Sequence, residues 1–283
     1  MKILSFRQVL FCIGFILLQI NLFATQNIFE VSYETSSYTY KEPHMDHPIS
    51  LKSNKQGFSA IYKRYGIWDS KTPDATYGLL EIRYMTGDNT YKGWLGGGGI
   101  YTPFEASDIR DYYYEGALKV GTLIYQKDKL DIDGYLGIGY RFLKDHLESI
   151  GEGGYLRESN YLYMPIGFNT NYKVNEYFKI AFKTEFDYLL SGEQYSGEIV
   201  GYDVSESVRH SQEQGYGLRA GLRFSAMISS AEVFVEPFWR YWHIQNSEKE
   251  YQYVKIGGTW YQQLTYEPFN TTQEYGVKVG IAF

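Results

Sequence analysis

The chain has 283 residues, enough for one all-β domain of barrel size or for two ordinary domains. Its net charge of −6 comes with no basic cluster, which argues against nucleic acid as a partner. Thirty Tyr and 29 Gly suit strands and tight turns, and the mean hydropathy of −0.37 does not exclude a membrane barrel, because inward polar and outward apolar residues cancel in any window average.

The first residues have the pattern of a secretory signal. Lys2 and Arg7 precede an apolar run over 9–23, and Leu22-Phe23-Ala24 offers cleavage after Ala24. The run is short for a spanning helix, so an uncleaved anchor is the weaker reading. The expected division is a signal segment, 1–24, and one barrel domain, 25–283. Removing Lys2 and Arg7 takes the charge from −6 to −8. The only cysteine, Cys12, falls in the removed segment, so the mature chain has neither disulfide nor thiolate site. No later stretch approaches the ~20 apolar residues of a transmembrane helix.

Ten segments then alternate apolar and polar residues, the signature of transmembrane β-strands. In chain order they lie near 28–40, 57–65, 76–86, 115–124, 130–142, 161–169, 178–188, 218–224, 231–244 and 274–283. The last is the clearest: Tyr275, Val277, Val279, Ile281 and Phe283 face one way, Glu274, Gly276, Lys278 and Gly280 the other. Short connections are expected near 126–129, 173–177 and 227–230, and long polar ones near 41–56, 87–110, 144–159, 191–215 and 246–270. Region 66–75 should be short and is about ten residues. The predicted fold is all-β: a single antiparallel transmembrane barrel of about ten strands (8–12), with short periplasmic turns and long outer loops.

The inward face carries nearly balanced charge. Its acids are Glu30, Glu34, Glu81, Glu115, Asp131, Asp133, Glu185, Asp187, Glu232, Glu236 and Glu274. Its bases are Lys63, Arg83, Lys119, Arg141, Lys179, Lys183, Arg219, Arg223, Arg240 and Lys278. Such a set predicts a lumen filled largely by ion pairs, since barrels of ~8 strands can be filled by side chains while ~16 leave a channel.

The signal pattern, the aromatic-rich strands and the closing Tyr-Gly-Val-Lys-Val-Gly-Ile-Ala-Phe resemble bacterial outer-membrane β-barrels of the porin-like or OmpA-like superfamily. No peptidoglycan-binding domain follows the barrel pattern. The resemblance implies export to the outer membrane of a Gram-negative envelope, with lipid and lipopolysaccharide around the wall. It also implies that Tyr275, Val277, Val279, Ile281 and Phe283 form the signal read by barrel-assembly machinery. Ten strands is also the size of the omptin surface proteases. Their Asp-x-His pair is missing here, and Asp131 and Asp133 fall at the periplasmic end.

Candidate chemistry is sparse. His243, Ser247 and Glu248 have the residue types of base, nucleophile and orienter at the outer end of one strand. Their spacing departs from the His-x-Ser-Asn motif of lipid A deacylases. His44, Asp46 and His47 share one loop, but loop histidines are usually only solvated, and neither metal nor cofactor is expected. Trp94-Leu95-Gly96-Gly97-Gly98-Gly99 fits a flexible outer loop better than a phosphate loop. Tyr91, Trp94, Tyr101, Tyr195, Tyr202, Trp260 and Tyr261 are candidate contact anchors for an unknown surface ligand. The expected role is structural or surface-interacting and non-enzymatic; a small-solute porin and a rim-located hydrolase acting on lipid A or peptide are the alternatives.

Overall fold

A computed structural model of the chain describes residues 27–43, 46–67, 75–97 and 100–283. The signal segment 1–24, Cys12 and His44 lie outside the described residues. The strands are β1 (Asn27–Glu42), β2 (Ile49–Tyr65), β3 (Thr76–Gly97), β4 (Ile100–Lys127), β5 (Leu130–His146), β6 (Leu156–Lys173), β7 (Phe178–Ser196), β8 (Val204–Ser205), β9 (Val208–Gln212), β10 (Gly215–Ile228), β11 (Ala231–Ile244), β12 (Glu250–Ile256), β13 (Thr259–Thr265) and β14 (Asn270–Ala282). β1–β7, β10, β11 and β14 form a closed antiparallel barrel of 10 strands, with β10 returning to β7. Each of the ten alternating sequence segments lies in one of these strands.

Closure is made where the chain's two ends meet. β1 pairs with β14 on one side and β2 on the other, and Phe29 and Phe283 exchange backbone hydrogen bonds of 3.1 and 2.9 Å. With both sides of every barrel strand paired, the wall has no open edge. Alternation then sorts the side chains. In β1, Glu30, Ser32, Glu34, Ser36, Tyr38 and Tyr40 are buried inward, while Phe29, Val31 and Tyr33 are exposed outward.

One end of the barrel is trimmed by local chemistry. Asp128-Lys129 joins β4 to β5 with Asp128 at φ 50°, and Ser229-Ser230 joins β10 to β11 with Ser229 at φ 57°. The left-handed conformation suits two-residue hairpins because it matches strand twist. Between β6 and β7 the Asn175 side chain accepts the N–H of Tyr177 and of Phe178, at 2.9 and 2.8 Å, closing an Asx turn.

At the other end the long connections are more structured than their sequence suggests. A transmembrane strand needs about 9–11 residues, whereas β3 has 22 and β4 has 28. Region 87–110, expected as a loop, is mostly a two-stranded arm paired as far as Gly97↔Ile100. Trp94–Gly97 therefore belongs to a strand and not to a flexible loop; Gly98 and Gly99 are outside the described residues. The arm escapes the period-two signal for a physical reason. Beyond the closed wall no apolar face is required, so exposed pairs such as Lys92–Glu105 (3.0 Å) serve, and a register shift between Asn89 and Tyr91 breaks the pattern. Regions 191–215 and 246–270 likewise contain β8, β9, β12 and β13; β9 pairs with the end of β7, and β13-β12-β8 makes a small separate sheet.

Inside, aromatic rings seat on glycines of the neighbouring strand: Tyr77 over Gly121 and Tyr163 over Gly139. A methyl group at either glycine would overlap the ring. We expect Gly139→Ala to lower stability by about 1–3 kcal/mol in urea unfolding of the refolded barrel. Gly116→Ala, whose Cβ would meet only a backbone oxygen at 3.9 Å, should be far milder. Deleting Phe283 removes the backbone exchange with Phe29, so the truncated chain should lose the heat-modifiable gel mobility expected of the intact barrel.

Candidate functional site

Because every second residue of ten strands points inward, the lumen is where the chain concentrates its polar chemistry. Four zones lie along the axis between the short-turn end and the long-loop end.

The middle zone is a dense set of ion pairs. Arg83 (β3) lies 2.7 Å from Glu34 (β1) and 2.9 Å from Glu274 (β14), and its guanidinium also meets the Tyr113 hydroxyl (β4). Arg240 and Lys278 each lie 3.3 Å from Glu34. On the opposite wall Arg219 reaches Asp187 at 2.7 Å, Glu115 at 2.9 Å and Glu185 at 3.2 Å, and Arg141 reaches Glu115 at 3.2 Å. Lys119 bridges Glu185 (2.6 Å) and Glu81 (2.9 Å). Arg223 joins Glu236 (2.6 Å) and Glu30 (2.7 Å), and Lys183 lies 3.2 Å from Glu236. Buried charge is tolerated only when paired and hydrogen-bonded. Arginine serves here because its planar fork holds two or three carboxylates at once.

The outer zone departs from the expectation of an ion-pair filling. Above Arg83 the lumen is packed by Tyr38, Met85, Tyr113, Leu143, Tyr161, Tyr163, Leu189 and Trp242. Arg141 and Arg219 lie 5.4 and 5.9 Å from the Trp242 ring centroid, so the two zones are joined by cation–π contacts.

At the rim above this plug sits a second polar cluster. Lys55 pairs with Asp111 at 2.6 Å, and the Asn89 amide donates to both Asp111 (2.7 Å) and Asp145 (3.2 Å). Arg157 binds Asp145 and Glu42, each at 2.9 Å. The Tyr40 hydroxyl lies 2.8 Å from Glu42 and 3.0 Å from Glu267. Sequence reasoning missed this cluster because most of its members lie in segments read as loops. The signal was nonetheless available: Asp111 keeps step with Glu115 and Lys119, and Asp145 with Arg141.

The fourth zone, at the short-turn end, is open. A cavity of about 340 Å³ is lined by Lys63, Tyr65, Glu81, Asp131, Asp133, Lys179 and their neighbours. Asp131 meets the more exposed Lys173 at 3.5 Å, and Lys179 meets Glu232 at 2.7 Å. Asp133 is held by neutral donors, the Tyr77 hydroxyl and the Asn169 amide (2.9 Å).

The residues considered for catalysis are not brought together. His243 is on the outward face, 5.4 Å from the Tyr216 ring and with its Nε2 3.1 Å from the Gln245 amide. The Ser247 hydroxyl donates to the Glu248 carbonyl (2.7 Å) and accepts from the Glu267 N–H (2.8 Å), which is a structural use. No hydrogen bond joins His243 to Ser247 among the described residues. His47 packs against the rings of Tyr101 (4.0 Å) and Trp94 (5.1 Å). Of the proposed contact anchors, Trp260 and Tyr261 are exposed on β13, whereas Tyr91 is buried.

Two measurements check this zoning. Arg83→Ala takes the nearest cation from both Glu34 and Glu274, and removing one partner of a buried pair typically costs about 3–5 kcal/mol. We expect a loss of that size in urea unfolding. The second concerns Glu267, in the strap between β13 and β14. Burial, and next the Glu42 carboxylate, push its carboxyl up from 4.5 to about 8, against the pull of Arg157. The folded strap therefore holds a proton that the unfolded chain has lost, so this contribution to stability is complete below about pH 4.5 and is lost as pH rises through about 8. Amide exchange, corrected for intrinsic rate, should show the Ser247 N–H, which donates to the Glu267 carbonyl (2.9 Å), less protected at pH 9 than at pH 5. Glu267→Gln should remove that difference.

Comparison with protein-family models finds no match, and comparison with curated proteins finds none. Among solved structures the chain is similar to the outer-membrane protease OmpT from Escherichia coli, with a TM-score of 0.58 and 12% identity over 93% of this chain and 98% of that one. The translocator domain of the autotransporter NalP from Neisseria meningitidis (TM-score 0.38, 12% identity, 96% and 95% covered) and OprG from Pseudomonas aeruginosa (0.36, 8%, 92% and 96%) also match, too loosely to support an argument. The closed ten-strand antiparallel wall and the likeness to OmpT agree on one statement about this chain: its fold is that of the outer-membrane β-barrels.

Proposed function

We propose that the protein is a non-conducting outer-membrane barrel, placed with its short turns toward the periplasm and its long strands and loops outside. Its role is structural and surface-interacting. The observation that carries this reading is the middle of the lumen: Arg83, Glu34, Glu274 and Tyr113 are almost completely buried, and the aromatic plug continues above them. A polar layer of this kind resists opening because every charge that moved would leave another unpaired in a poorly solvated interior. The outward band of Phe58, Ile82, Leu136, Ile138, Phe168, Phe182 and Val279, all exposed, fits contact with lipid tails. Lipopolysaccharide around the outer half and assembly through the closing β14 strand belong to the same reading. Fold likeness to a protease at 12% identity does not bring that activity to this chain.

The test is electrical. In planar bilayers the purified barrel should give no discrete conductance steps, while Arg83→Ala combined with Tyr113→Ala should give small ones. Porin-sized steps from the unmodified protein would overturn the reading in favour of a solute channel.

A further inference from the structure

The cavity at the short-turn end holds one cation that the lumen network does not use. Among the described residues Lys63 has no carboxylate within 4.0 Å; its ammonium rests 3.6 Å from the Tyr77 ring centroid and 4.7 Å from that of Tyr65. Asp133, the acid acting on it, is already covered by Tyr77 and Asn169. An ammonium carries three donors, and an aromatic face satisfies none of them with an oxygen. The Lys63 ammonium is therefore left to the contents of the cavity, water or a solute, for oxygen acceptors.

The lining has the matching sign. Lys173 and Lys179 stand directly opposite each other in the β6–β7 register. Like charges at facing positions are destabilising within a sheet. Each of these lysines also meets an acid, Asp131 and Glu232 respectively, so the excess of cations belongs to the lining as a whole, nine Lys and Arg against seven Asp and Glu, and it raises the local concentration of anions in a low-dielectric cleft. The cavity, about 340 Å³, falls within the ~300–1,000 Å³ of small-molecule sites.

We infer that this cavity is a binding site for a small anionic solute, a phosphate or carboxylate compound arriving from the short-turn side, with Lys63 as its charge partner and the Lys173–Lys179 pair at its entrance. The inference goes beyond the non-conducting reading and shares with it only the closed middle layer, which makes the cavity blind.

The probes are inorganic phosphate and, separately, succinate, titrated calorimetrically into the refolded full chain at low ionic strength. Saturable binding of at least one is expected, weakened about tenfold or more in Lys63→Gln and largely retained in Lys63→Arg. Lys92→Gln, on the outer arm, should bind as the unmodified protein does. Preference for one probe tells phosphate from carboxylate chemistry. Absence of saturation with both, or equal binding by Lys63→Gln, would mean an adventitious ion only and would overturn the site. Should Lys63→Gln fail to fold, Asp131→Cys in a Cys12→Ser background gives an independent readout. The preferred anion should slow labelling at position 131 by an anionic thiol reagent, and unchanged labelling would overturn the site. Channel activity of the unmodified barrel would refute the closed layer while leaving these binding results to stand or fall alone.

Discussion

The pairing of β1 with β14 is the constraint from which the rest of the molecule follows. A β-sheet in lipid cannot leave a row of backbone N–H and C=O groups unpaired, so the sheet has to close. Closure through Glu30↔Ala282 and its successors fixes which side chains of all ten strands point inward. An interior of this width has little room for water at its centre, so charged residues placed there must find one another. The arginines are the means. Arg83, Arg219 and Arg223 each tie two or more strands across the lumen and do for the barrel what a hydrophobic core does for a soluble sheet.

The lumen is also graded. Toward the short turns it is wet and lysine-rich; at the centre it is arginine-bound; beyond that it is aromatic; and at the rim it is acidic and tightly hydrogen-bonded. The gradient matches side chain to solvation. Lysine, compact and strongly hydrated, lines the open cavity, while arginine, more weakly hydrated and able to stack, borders the rings of Tyr113, Tyr163 and Trp242.

Much of this was legible beforehand, and for a definite reason. Between the lipid and the lumen a strand meets two different environments, and that difference writes period two into the sequence. Tyr275 to Phe283 and Phe178 to Tyr188 show it plainly. Above the lipid the two faces of a strand meet similar solvent, the period fades, and the β3–β4 arm, β9 and β12–β13 read as loops. The inward charges could be chosen by parity alone. Parity also turns Tyr38, Tyr161 and Trp242 inward, in step with Glu34, Arg157 and Arg240, but it could not say that they pack together, because aromatics suit the lumen, the lipid and the interface alike. Nor could it pair charges across the barrel: Arg157 with Glu42 joins β6 to β1, five places apart around the wall.

The arm formed by β3 and β4 beyond the barrel has a consequence for how this chain can change over time. Below, ring-on-glycine seatings and cross-lumen ion pairs hold each strand to one register, so an inserted residue there would turn a whole inward set toward the lipid. From Gly93 and Phe104 outward the two strands of the arm pair only with each other. It can grow or shrink by matched residues on both strands, and an odd residue can be absorbed by a shift like the one between Asn89 and Tyr91. The outer reach of the molecule is thus free to vary in length while the wall beneath it stays fixed, and length variation between versions of this protein should concentrate in that hairpin.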